Sequence, residues 1–229
     1  MTDQYEKSIP KTGHYLFDFD GTLVDSMPHW ARSMIRVLDD HSIPHGDDLI
    51  RTITPLGLHG TAQYFISLGL DLPQEKILEE MYVYLTPLYR DVIPDKEGVR
   101  DCLLAMRRHG LGLHVLTASP HPWLDPCLKR LGLFDLFDNV WSCEDFGTGK
   151  TNPAIYTEAA RRIGAPVSDV TFLDDNINAD RTAKTAGMPV IGVYDLTSAE
   201  DEADMRALTD AYIHSFRQLR AALFPTESL

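Results

Sequence analysis

The sequence predicts an α/β protein: a doubly wound parallel sheet carrying a small all-helical insert. Three observations lead there. A short apolar run, Tyr15-Leu16-Phe17, ends in Asp18 and Asp20 before Gly21, as a buried strand does when it enters a turn. From residue 95 onward, helical and strand patterns alternate, with a glycine closing each of several helices. Between residues 27 and 94 only helical spacing is found.

The elements follow in order. HYLFDFDGT, residues 14–22, is the first strand and its turn. Pro28 to Asp39 reads as a helix, with Trp30, Met34, Val37 and Leu38 at helical spacing, and Ile43-Pro44-His45-Gly46 ends it. Residues 49–53, 61–68 and 73–89 read as further helical pieces, separated by Pro55, Gly57, Gly60, Gly69 and Pro73. Beyond Ile93-Pro94, helices are expected at 99–109, 123–131, 153–163 and 179–186, stopped by Gly110, Gly132, Gly164 and Gly187. Strands are expected at 111–116, 140–143, 170–173 and 189–193. The stretch 199–229 is acidic and then amphipathic, and is expected to close the sheet and pack a last helix. The organisation expected is therefore a core of 1–26 and 95–229 with a helical cap of 27–94.

Composition fits this. The 229 residues are 44% hydrophobic and 24% charged, an ordinary globular balance with enough chain for a core and an insert. Acidic residues outnumber basic ones 34 to 21, a net charge of −13, which argues against nucleic acid or an acidic membrane surface as partner. Cys102, Cys127 and Cys143 have no paired spacing, so no disulfide framework is expected and a reducing cytoplasm fits. The opening MTDQYEKSIPK carries no apolar stretch, and no apolar run approaches the ~20 residues that span a bilayer.

In a doubly wound sheet, ligands bind beyond the carboxyl ends of the strands. The residues there are Asp18, Asp20, Thr117, Lys150, Asp174 and Asp175, with Asp180 one turn further. Carboxylates at that density repel one another, and a bound cation removes the conflict. The donor set is all oxygen, which selects a hard ion such as Mg²⁺. A hard cation with a Lys and a Thr hydroxyl suits a phosphoryl group, and an Asp can attack phosphorus to form an aspartyl-phosphate.

Four motifs in order give these residues a familiar pattern. They are Asp18-Phe19-Asp20-Gly21-Thr22; Thr117 after an apolar strand; Lys150 followed by Asn152-Pro153-Ala154-Ile155-Tyr156; and Phe172-Leu173-Asp174-Asp175 with Asp180 and then Ala186-Gly187-Met188. Spanning residues 15–193, they resemble the haloacid dehalogenase superfamily. The branch resembled is that of phosphatases with an all-helical cap after the first motif, the phosphoglycolate phosphatase and β-phosphoglucomutase-like enzymes. The resemblance implies a Mg²⁺-dependent hydrolysis of a small phosphorylated metabolite. Asp18 would be nucleophile and metal ligand. Asp20 would protonate the leaving oxygen and later activate water, its backbone carbonyl touching the metal. Thr117, Ala118 and Lys150 would hold phosphate oxygens. Asp175 would ligate Mg²⁺, with Asp174 a second ligand or standing behind it, and Asp180 would sit further out. A monomer or weak homodimer is expected.

Plainer readings exist for single residues. Thr117 alone reads as a helix cap, and Lys150 alone as a surface lysine, although a cation is disfavoured just before a helix N-terminus at Asn152-Pro153. Gly147-Thr148-Gly149-Lys150-Thr151 resembles the end of a P-loop, but the position that needs the first glycine is Glu144. His41 and His45 are separated by the helix-breaking Pro44 and form no metal pair. The insert is expected to select substrate, with His29, Trp30 and the loop Leu56–Gly60, including His59, as candidates. Related mutases carry a His where this chain has Trp30 and an Arg where it has Gly60. A phosphatase is the reading, with a phosphomutase or phosphonatase, or a catalytically idle phosphate-binding protein, as alternatives.

Overall fold

The computed structural model describes residues 8–226. Strand β1 (His14–Phe17) leads into helices α1 (Met27–Asp40), α2 (Leu49–Ile53), α3 (Gly57–Ser67) and α4 (Gln74–Asp91). Then come α5 (Val99–Arg108), β2 (Gly112–Thr117), α6 (His121–Arg130), β3 (Asn139–Ser142), α7 (Ala154–Ile163), β4 (Val170–Asp174), α8 (Ile177–Ala186) and β5 (Val190–Val193). The chain closes with α9 (Glu202–Leu208), β6 (Ala211–Ile213) and α10 (Phe216–Leu223). Two compact units result, one of Met1–Asp25 with Pro94–Leu229 and one of Ser26–Ile93. The chain passes between them after Asp25 and after Ile93, where the helix and strand pattern of the sequence put the boundaries at 26/27 and 94/95.

The first unit is an α/β fold on a six-stranded, all-parallel sheet in the order β3-β2-β1-β4-β5-β6. The chain winds outward from β1 to one side, then crosses to β4 and winds to the other. The order therefore reverses between β1 and β4, where a crevice opens at the carboxyl ends. Helices cover both faces, so the strands read as unbroken apolar runs and not as alternation. All five residues of β4 are buried. On one face Leu16, Leu116, Phe172 and Val190 pack against Ile155, Tyr156 and Ala159 of α7 and Ala183 of α8. Strand β6 has three residues, too short to show a period, and the sequence reading does not separate it from the C-terminal stretch.

The second unit is all helical. Helix α1 buries Met34, Val37 and Leu38, and α4 buries Ile77, Met81, Leu85 and Tyr89, each a stripe at helical spacing. One sequence expectation is corrected here. Residues 56–60 are not a loop: Thr54–Leu56 is a 3₁₀ turn and α3 already runs from Gly57. The glycines read as breakers, yet Gly60 stands inside the helix, where a β-carbon would come 2.8 Å from Leu56 Cβ. No helix among the described residues is long and apolar enough to cross a membrane.

Buried His114, paired with half-buried His14, is expected to make the sheet acid-sensitive. Asn139 donates to His114 Nδ1 at 2.9 Å, so the His114 proton sits on Nε2 and points at His14 Nδ1, 3.2 Å away. Burial pulls the His114 imidazole from the ordinary 6.5 down to about 4; nearby Asp138 raises it, and His14 and Arg107 lower it further. Between those pH values the unfolded chain binds a proton that the folded chain refuses. The stability from neutral His114 is therefore complete above pH 6.5 and lost as pH falls toward 4, a swing of about 3 kcal/mol. We expect the stability difference between wild type and His114→Gln, from urea unfolding, to shrink steadily over that window. A difference that stays flat from neutral pH down to pH 4 contradicts this account.

Candidate active site

Each predicted residue of the α/β unit can be placed from its strand. Asp18 follows β1, its amide donating to Leu173 O at 2.8 Å, which ties it to β4 across the switch point. Asp174 ends β4 and Asp175 follows it. The carboxylates of Asp18, Asp174 and Asp175 converge, offering oxygens that all lie within 4.8 Å of one another, and all three residues are buried.

Lys150 is the counter-charge. Its Nζ donates to Asp174 Oδ2 at 2.8 Å and lies 2.5 Å from Asp18 Oδ1. The latter approach is a charge contact without hydrogen-bond alignment, and Asp18 Oδ1 is buried with no hydrogen bond. Tyr156, anchored in α7, places its hydroxyl 3.2 Å from Lys150 O and 3.1 Å from Ala179 O, which fixes the loop that delivers the ammonium. The expectation that Lys150 precedes a helix start agrees with α7 beginning at Ala154.

The electrostatics show how short the cluster is of positive charge. Burial pushes Asp174 up to about 7, with Lys150 opposing and Asp18 adding. Burial raises Asp175 well above the carboxylate range, and Asp174 and Asp18 raise it further. Burial opposes the Lys150 ammonium, but Asp174 and Asp18 outweigh it and hold the group well above its ordinary range. Three carboxylates against one ammonium is the environment a divalent cation completes, and Asp18 Oδ1, buried with an ion-pair contact to Lys150 and no hydrogen bond, is a donor such a cation can use. The donors fit such an ion.

The remaining positions frame this centre. Gly21, at φ +73°, packs its backbone against Asp175 so closely that a β-carbon would sit 2.4 Å from Oδ2. Glycine is required there. Thr22 donates to Asp175 Oδ1 at 2.9 Å. Asp20 accepts from Ser119 Oγ at 2.5 Å. Thr117 is buried at the end of β2 and accepts from Ser119 N at 3.1 Å; it does not cap α6, whose N-cap is Pro120. Asp180, on α8, is buried with both carboxyl oxygens free of hydrogen bonds, and burial followed by the charges of Asp174 and Asp175 raises it well above the carboxylate range. Ser119 is absent from the sequence reading; it lies in the bend just past β2, and only its place two residues after Thr117 could have pointed to it.

The helical unit holds the other candidates. His29 lines a groove of about 470 Å³ between α1 and α4, with Arg32, Ser33, Arg36, Val83, Tyr84, Pro87 and Leu88. Trp30 is half-buried on the same helix. His59 is exposed on α3, where Gln74 donates to its carbonyl at 3.1 Å. His59 does not line the His29 groove. His41 and His45 pair with Glu80 and Asp39.

The α/β unit is thus a doubly wound fold with clustered carboxylates and a lysine at its switch point. Residues 13–187 match the family described as haloacid dehalogenase-like hydrolase, and the chain belongs to it. Hexitol phosphatase B of Escherichia coli (strain K12) is 27% identical over 219 residues, covering 90% of this chain and 93% of the relative. Phosphoglycolate phosphatase of Salmonella typhi is 29% identical over 234 residues, 90% of each chain. The crystal structure of CbbY from Rhodobacter sphaeroides in complex with phosphate superposes with a TM-score of 0.79 at 22% identity, over 91% of this chain and 96% of that one; this likeness concerns the fold.

Proposed function

We propose that this hydrolase is a Mg²⁺-dependent phosphatase that cleaves a small phosphate monoester through an aspartyl-phosphate on Asp18. The observation that carries the reading is the buried trio of carboxylates Asp18, Asp174 and Asp175 with the Lys150 ammonium set against two of them, 2.5 Å from Asp18 Oδ1 and 2.8 Å from Asp174 Oδ2. A carboxylate nucleophile has to stay ionised, and a phosphoryl group needs positive charge around it; Lys150 serves both needs.

Asp18, Asp175 and the Asp20 carbonyl would hold the cation. Asp174 is suited to stand behind them, because Lys150 and the Asn176 amide already occupy its two oxygens. Bound there, Mg²⁺ supplies charge that lets a carboxylate approach an anionic phosphoryl group. Thr117, the Ala118 backbone and Lys150 orient the phosphoryl oxygens. Asp20, steadied by Ser119, hands a proton to the leaving oxygen and then takes one from the water that attacks the aspartyl-phosphate. Asp180 backs the site from α8. Selection among esters is assigned to the helical unit, with His29, Trp30 and His59 as its candidate contacts. His29 is the most apt, lining a groove with two arginines. Relatives named for hexitol and phosphoglycolate support a small phosphorylated metabolite as substrate.

A panel of phosphate esters with inorganic phosphate as readout tests this. We expect release from at least one ester, abolished by a chelator and restored by Mg²⁺. Ca²⁺ is expected to restore it poorly, since its looser and higher coordination misplaces the attacking oxygen. Full activity in chelator refutes the metal assignment. An enzyme that binds Mg²⁺ yet releases phosphate from nothing refutes the phosphatase assignment.

A further inference from the structure

Lys96 takes no part in the reaction just described, yet it stands half-buried beside it. The residue follows Pro94, where the chain re-enters the α/β unit. Its Nζ lies 2.5 Å from Gly21 O, 2.6 Å from Tyr194 O and 3.0 Å from Asp195 Oδ2. An ammonium has three protons, so all of its donors are committed. The side chain is 17% exposed and that of Asp195 is 4% exposed. Taking such a pair out of water is expensive, and a merely structural contact could be made by apolar groups at no such penalty.

The position of the Gly21 carbonyl gives the arrangement a purpose. The Gly21 amide already donates to Val24 O at 3.0 Å, and its α-carbon presses on Asp175. The carbonyl is the handle that remains. It shares a rigid peptide plane with the Thr22 amide, so its direction sets where Thr22 starts. The Thr22 hydroxyl in turn holds Asp175 Oδ1. The Lys96 amide also donates to Leu23 O at 3.0 Å, so one residue grips this turn from two sides.

We propose that Lys96 is a positioning residue for the cation cradle, acting through the Gly21 carbonyl and the Thr22 hydroxyl on Asp175. The proposal rests on reading Asp18 and Asp175 as cation ligands. Because Asp195 balances its charge, the contribution of Lys96 is geometric. The distinction is measurable, since the two roles have opposite signs. Removing a cation near clustered carboxylates tightens binding of a metal ion if charge is what matters. Removing the support loosens it if geometry matters.

The probe is Mn²⁺, titrated into the protein without substrate and followed through the electron paramagnetic resonance signal of the free ion. Lys96→Met with Asp195→Asn removes both charges and keeps the net charge; Asn at 195 can still accept from Thr197, as Asp195 Oδ1 does at 2.9 Å. We expect Mn²⁺ affinity to fall by about 10- to 100-fold, the usual effect of losing a residue that orients a ligand. Thr22→Val is expected to produce a similar loss that does not add to it. Lys96→Arg keeps the charge and the fold but not the three-point geometry, and a loss is expected there too. Affinity unchanged in Lys96→Arg, or raised in Lys96→Met alone, overturns the proposal. If wild type binds no Mn²⁺, or Asp175→Asn binds it as well as wild type, the cation-site reading fails along with this one.

Discussion

Asp18→Asn is expected to lose turnover and covalent phosphoryl labelling together. The wild-type carboxylate is held by its backbone bond to Leu173 and presents a buried oxygen with no hydrogen bond of its own. An amide at the same place keeps the shape and removes the nucleophile, since its nitrogen lone pair is delocalised into the carbonyl. Turnover is expected to fall by about 10⁴-fold or more, the scale seen when a covalent nucleophile is removed. The fold is not at risk. The substitution takes one charge from three crowded carboxylates and leaves Lys150 its bond to Asp174, so metal-free protein is expected to unfold no earlier than wild type. The measurement is quenched reaction with a ³²P-labelled ester, counting label on protein, beside thermal unfolding of both chains. Near-native turnover, or label on the variant, removes Asp18 from the role of nucleophile.

The second large effect concerns Asp20, which stands two residues on and is held by the Ser119 hydroxyl. Its proposed work is proton transfer in both halves of the reaction. The metal contact proposed at this position is a backbone carbonyl, so Asp20→Asn is expected to leave Mn²⁺ binding intact. It is expected to slow hydrolysis of an ester with a poor leaving group by ~10²–10⁴-fold, the range for a lost general acid–base. An ester whose alcohol departs without a proton is expected to form the aspartyl-phosphate at near wild-type rate and then to accumulate it, because water activation still fails. Single-turnover kinetics with the two esters resolves the steps. Equal impairment of the first step for both esters contradicts the assignment. Ser119→Ala is the milder companion: the same pattern, smaller in size, is what loss of orientation alone produces.

Much of this molecule is legible along the chain because it is local. The run Tyr15–Phe17 and the apolar β4 residues are strands by their own composition, and the glycines at 110, 132, 164 and 187 end helices where the pattern stops. Asp18 with Asp20, and Asp174 with Asp175, are paired by covalent neighbourhood, which is why their motifs can be recognised without coordinates. Where local signals conflict, the packed structure decides. Gly57, at φ +64°, does break the chain between the 3₁₀ turn and α3, but Gly60 also looks like a breaker and α3 runs through it, because tertiary burial of Thr61, Ala62 and Phe65 outweighs a glycine penalty of about 1 kcal/mol. The meetings that build the site belong to tertiary structure alone. Thr22 reaches Asp175 across 153 positions, Ser119 reaches Asp20 across 99, and Lys96 reaches Tyr194 across 98. No local period announces these meetings, because each depends on which strands lie side by side: β4 beside β1 for Thr22 and Asp175, β2 beside β1 for Ser119 and Asp20, and β5 next to β4 for Tyr194. The sequence by itself determined most of the elements, though not β6 or the start of α3, together with the strand-end residues and the resemblance to the family. Strand order determined which of those residues touch, since it is set by burial summed over the whole chain and not by any segment's own preference.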